Sequence, residues 1–109
     1  MNDINKDDLM EIESLVFKRL TKHLQDNPEV QNIDLMNLAN FCRNCLSKWF
    51  KAECERKGIN KEYDEIREYI YGMPYNEWKN KNQKEATKEQ MEQFNKNKTS
   101  MLSMLEEID

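Results

Sequence analysis

A chain of 109 residues is long enough for one domain, yet with 38% hydrophobic and 35% charged residues its supply of core is thin. A formal net charge of −4 and a pI near 5.1 argue against a general polyanion binder, and no stretch is apolar enough to span a bilayer. Neither nucleic acid nor a membrane is therefore an expected partner. The polar start from Met1 to Asp8 is unlike a secretory leader, and three cysteines argue against a disulfide scaffold, so the expected compartment is the cytoplasm.

Two glycines and two prolines leave little room for tight turns, which favours helices. The first helix is expected to begin after Asn5, with Asp7 and Asp8 in its first turn, and to end near Asn27 ahead of Pro28. Leu9, Ile12, Val16, Leu20, His23 and Leu24 recur every three or four residues and predict its buried stripe.

After a loop over residues 28–31, Asn32 or Asp34 can cap a second helix that runs to about Lys57, where Gly58 stops it. At about 1.5 Å per residue this would be a central helix roughly 36 Å long. Leu35, Leu38, Cys42, Cys45, Trp49 and Ala52 form its apolar stripe, widened by Ala39, Leu46 and Phe50. Asn60 is expected to start a third helix carrying Tyr63, Ile66, Tyr69 and Ile70, with Gly72 ending it. Pro74 suits the first turn of a short fourth helix with Tyr75 and Trp78, and residues 79–84 read as solvated.

Thr87 with Gln90 reads as a capping box for a weaker fifth helix carrying Met91 and Phe94. Beyond it, residues 97–109 form a polar linker and a short amphipathic tail, either frayed or docked on this or a neighbouring chain. The expectation is an all-α domain over residues 1–96: four to five helices in an irregular bundle around the long central one. Pairing as a homodimer would relieve the shortage of core.

Cys42 and Cys45, three apart on a helix, share a face. On the packing reading they are small core residues and the protein needs no cofactor. On the alternative they bind zinc or another transition metal together with His23, although a hairpin register leaves His23 about one turn from Cys42 and two from Cys45. A third reading is thiol redox chemistry, which uses the C-x-x-C spacing. It normally requires the first cysteine at a helix N-terminus, whereas here Cys42 would lie two turns inside.

Opposite the thiols, Arg43, Asn44, Ser47, Lys48 and Lys51 predict a polar, basic face. Arg43, Asn44 and Lys48 are the candidates there for contacting an acidic protein partner or a phosphate-bearing ligand. Tyr71, Tyr75 and Trp78 flank the Gly72–Pro74 elbow, which is either structural or the wall of a small pocket. One histidine and no Ser-His-Asp set leave no candidate catalytic residue, so an interaction or scaffolding module is expected rather than an enzyme.

The string from Val30 to Ala39, leading into Phe41-Cys42-Arg43-Asn44-Cys45-Leu46-Ser47-Lys48-Trp49, resembles a family of short bacterial proteins, the domain of unknown function 1244 family. Tyr71-Gly72-Met73-Pro74-Tyr75, followed by Glu77-Trp78-Lys79, belongs to the same resemblance, which covers roughly residues 8–96. It implies a small multihelical fold associating as a homo-oligomer, with no established activity. Cys54 departs from that pattern, and the resemblance gives it no role.

Overall fold

The computed structural model describes the backbone of residues 1–108 and the side chains of residues 1–98. Among these residues it contains six helices and no strand, so the all-α expectation holds. Helix α1 spans Lys6–Asp26. Asn5 caps it, its side-chain oxygen accepting from the Asp8 amide at 2.8 Å, and Asp7 and Asp8 occupy the first turn where the helix dipole favours them.

The long central helix is not continuous. Helix α2 covers Asn32–Ala39, then Asn40 turns left-handed at φ 59°, and α3 begins only at Arg43 and runs to Arg56. Asparagine enters that conformation more readily than most residues because its short side chain bonds locally. Cys42, extended at φ −151°, is thereby the N-cap of α3. The break lets Phe41 pack against the core and brings Arg43 to the end of α1. It also disrupts the expected stripe: Leu38 is 86% exposed and Met36 takes a buried place at 8%, while Leu35, Cys42, Leu46 and Phe50 still face inward.

Helix α4 is Tyr63–Tyr71, and Gly72 ends it in the left-handed region at φ 78°. A Cβ on Gly72 would stand 2.8 Å from the Gln25 side chain, which donates to the Ile70 carbonyl at 3.0 Å. Both the conformation and the close approach require glycine here. Pro74 is the N-cap of α5, Tyr75–Asn82. Residues 79–82 thus belong to a helix, but Lys79, Asn80 and Lys81 are exposed on it, as are Gln83 and Lys84 beyond it, so the stretch is solvated as expected except at half-buried Asn82.

Helix α6 spans Lys88–Ile108 without interruption, so no polar linker separates the fifth predicted helix from the tail. Its capping box forms as expected, with Gln90 N–H donating to Thr87 Oγ1 and Thr87 N–H to Gln90 Oε1. Whether the Met and Leu side chains after residue 98 dock falls outside the described residues.

The core lies where α1 ends against α3, α4 and α5: Leu24, Leu46, Ile66, Ile70, Tyr71 and Trp78. Burying a side chain such as Ile70 contributes about 1.5–3 kcal/mol, and Tyr71 and Trp78 add an edge-to-face ring pair with centroids 5.0 Å apart. α2 is held on the other side by α6, through Asn37 to the Gln90 carbonyl and Gln90 to Asp34.

Candidate functional site

Arg43 is the organising residue of the α2–α3 elbow. It is 1% exposed, and its two terminal nitrogens donate to the carbonyls of Leu24, Asn27 and Val30 and to Asn32 Oδ1 at 2.7–3.3 Å. Leu24 and Asn27 close the last turn of α1, where their carbonyls otherwise accept only a single cap or turn bond, from the Asn27 and Val30 amides, and where the helix dipole is negative. The same group stacks 4.8 Å from the Trp78 ring. Burial draws its pKa down, but a guanidinium keeps its charge.

Asn44 is tied in as well. Tyr71 donates its hydroxyl proton to Asn44 Oδ1 at 2.7 Å and accepts from Asn32 Nδ2 at 3.1 Å. Burial pushes the Tyr71 phenol up, keeping it a donor. The expected basic surface therefore does not exist as such. Arg43 is buried, Asn44 is half-buried in a hydrogen-bond network, Ser47 is fully buried, and only Lys48 of the three candidates is exposed. The middle pair of the C-x-x-C motif holds the fold together, which the apolar periodicity could not reveal because both side chains are polar.

Cys42 is 7% exposed and Cys45 half-buried, with their Sγ atoms 4.0 Å apart. On the far side, Cys45 Sγ lies 3.8 Å from Met36 Sδ. Placing Cys42 at a helix start overturns the sequence expectation that it lies two turns inside. The two sulfurs share a proton: Cys42 S–H points at Cys45, which lowers Cys45 to about 6 and raises Cys42, with burial adding to the rise. The amides of Asn44 and Cys45 partly oppose the rise at Cys42, and Lys48 assists at Cys45.

His23 does not join them. It is exposed in the last turn of α1, and among the described residues no three His, Cys, Asp or Glu side chains gather around one point. The hairpin register that brought it near assumed one straight helix, and the break at Asn40 removes that geometry.

Tyr75 and Trp78 do line a cleft of about 530 Å³, together with Met36, Asn44, Met91 and Phe94. Tyr71 lies beneath it, 2% exposed and edge-on to both rings. Sequence reasoning missed Gln31, which is buried and staples the end of α5: its side chain donates to the Asn82 carbonyl and accepts from the Lys84 amide, both at 2.8 Å. A polar residue just before a helix is too common a signal to have singled it out.

A second region stands out for the opposite reason. In α1, Phe17, Leu20, Thr21 and Leu24 face the core, which turns the predicted stripe partly outward and leaves Ile12, Leu15 and Val16 exposed at 46%, 55% and 62%. Between α1 and α3, Met10, Phe17, Leu46, Trp49 and Phe50 line an open apolar groove of about 680 Å³. No helix among the described residues is long and apolar enough to cross a membrane.

No curated protein matches the chain. The strings around the elbow and around Gly72 lie within residues 30–96, which match the family model described as protein of unknown function (DUF1244), and the chain belongs to that family.

Proposed function

We propose that the protein is a non-catalytic interaction module that works as a homodimer, paired through the outer face of α1. The observation that carries this is the exposed strip Ile12–Leu15–Val16 on a helix whose charge is polarised. Residues 6–14 carry Asp7, Asp8, Glu11 and Glu13 against a single lysine, whereas residues 17–25 carry Lys18, Arg19, Lys22 and His23 and no acid. An antiparallel pair crossing near Leu15 sets each acidic half against the other's basic half and buries both apolar strips in one self-complementary contact. A parallel pair would set like charges together.

A stable dimer needs about 1,200–2,000 Å² of buried surface, and two helices about 31 Å long, each with an apolar strip, offer a contact on that scale. Size-exclusion chromatography with light scattering tests the reading, with a dimer expected at tens of micromolar protein. Arg19→Glu with Lys22→Glu should shift the population to monomer, and adding Asp8→Lys with Glu11→Lys should restore the dimer. A wild-type monomer, or a dimer indifferent to these charges, would refute the α1 pairing.

A further inference from the structure

We infer that Met36, Cys42 and Cys45 form a binding site for a monovalent soft metal ion, copper(I), at the elbow between α2 and α3. Three sulfur atoms from two helices meet there. Cys45 Sγ is the shared corner, 3.8 Å from Met36 Sδ and 4.0 Å from Cys42 Sγ. A metal with metal–sulfur bonds of about 2.3 Å in trigonal coordination separates its donors by about 4.0 Å, the spacing already held by the two pairs that share Cys45, so the rearrangement that closes the triangle is a swing of the flexible Met36 thioether toward Cys42. A disulfide would require Cys42 and Cys45 to close to about 2.05 Å, a movement of roughly 2 Å against a packed core.

The donor set selects the ion. Zinc takes thiolate, imidazole and carboxylate, and among the described residues no third His, Cys, Asp or Glu stands with the thiols. The third donor is a thioether, which suits copper(I) and is foreign to zinc. Met36 and Cys42 are 8% and 7% exposed, a dry setting that suits an ion shedding all its water, while half-buried Cys45 leaves a route in. Binding puts one copper(I) in place of the proton that the sulfur pair shares, and the two thiolates with one copper(I) then carry one net negative charge. The N-terminal amides of α3, the buried Arg43 guanidinium and Lys48 surround that charge and offset its burial. No electron transfer is involved, and the site does not depend on how the chains pair.

The reduced full chain, titrated anaerobically with copper(I) against a chromophoric copper(I) chelator, is expected to retain one ion per chain, with X-ray absorption showing three sulfur neighbours. Met36→Leu keeps the apolar volume, and it should weaken retention at least about tenfold and leave two sulfur neighbours. Cys42→Ser and Cys45→Ser should each abolish retention, whereas Cys54→Ser should change nothing. Circular dichroism on each variant separates a lost site from a lost fold. The assignment is overturned if the wild-type protein holds no copper(I) against the chelator, if Met36→Leu shows the wild-type coordination and affinity, or if zinc is held more tightly than copper(I).

Discussion

At the elbow, Arg43 is 1% exposed and directs its N–H groups to three backbone carbonyls and an asparagine, whereas in the first half of α1 Leu15 and Val16 stand 55% and 62% exposed. One region hides polar groups that depend on each other, and the other displays apolar groups that stand exposed among the described residues. The contrast is energetic. Removing a member of the buried network strands its partners without hydrogen bonds, while removing an exposed apolar group leaves the single chain almost unaffected. A substitution of similar size should therefore produce opposite outcomes in the two places.

Among the buried polar groups, the largest effect is expected at Arg43. Arg43→Met retains the stem that packs near Trp78 but withdraws the four guanidinium bonds to Leu24, Asn27, Val30 and Asn32, and a loss of about 3 kcal/mol follows, because the Leu24 and Asn27 carbonyls keep only their backbone partners and the Val30 carbonyl loses its donor. For a chain of this size that lowers Tm by at least about 12 °C. Arg43→Lys should recover less than half, since a single ammonium cannot span the same fork of acceptors. Urea unfolding checks both, and a change at Arg43→Met below about 1 kcal/mol would mean the network is not what holds the elbow.

Next comes Tyr71→Phe, which keeps the ring packed on Tyr75 and Trp78 but leaves Asn44 Oδ1 and Asn32 Nδ2 without their shared partner. The expected loss is about 1–2 kcal/mol, with the near-ultraviolet signal of Trp78 preserved. A smaller change with an informative sign is expected at Asn40. Since its φ is 59°, Asn40→Ala should cost about 1 kcal/mol and Asn40→Gly less than about 0.5 kcal/mol. Were residues 32–57 one helix, alanine would stabilise and glycine destabilise, so the ranking of the two variants decides whether the break exists in solution.

That break also explains what could be read from the sequence and what could not. Asn5, Gly72 and the Thr87–Gln90 pair act through their own few neighbours, so the ends they mark were legible. Asn40 carries no such mark, because no proline or glycine is near and an apolar residue still falls every three or four positions across it. The periodicity of a straight helix was continued through a corner, and part of what was built on it moved, although Leu35, Cys42, Leu46 and Phe50 keep the inward places expected of them. Leu38 came out to solvent, Arg43 went in, and His23 lost its place beside the thiols. The sulfur pair itself was legible as a motif, but Met36 was not, since its nearness to Cys45 exists only once the chain has turned.

The smallest effect, and the one that sharpens the contrast most, is expected on the outer face of α1. Leu24 and Leu15 lie on the same helix and differ in exposure, 7% against 55%. Leu24→Ala should cost about 2–5 kcal/mol through the cavity it leaves, at any protein concentration. Leu15→Ala should alter the unfolding of the isolated chain by less than about 0.5 kcal/mol. If α1 pairs with its counterpart, the wild-type melting temperature rises with protein concentration, because association stabilises the folded state by mass action. Leu15→Ala should flatten that rise while leaving the low-concentration limit unchanged. Melting curves spanning a hundredfold range of concentration separate the two contributions. A Leu15→Ala loss that persists undiminished at the lowest concentration would show that this side chain is packed within its own chain, and the division between the two regions would fail.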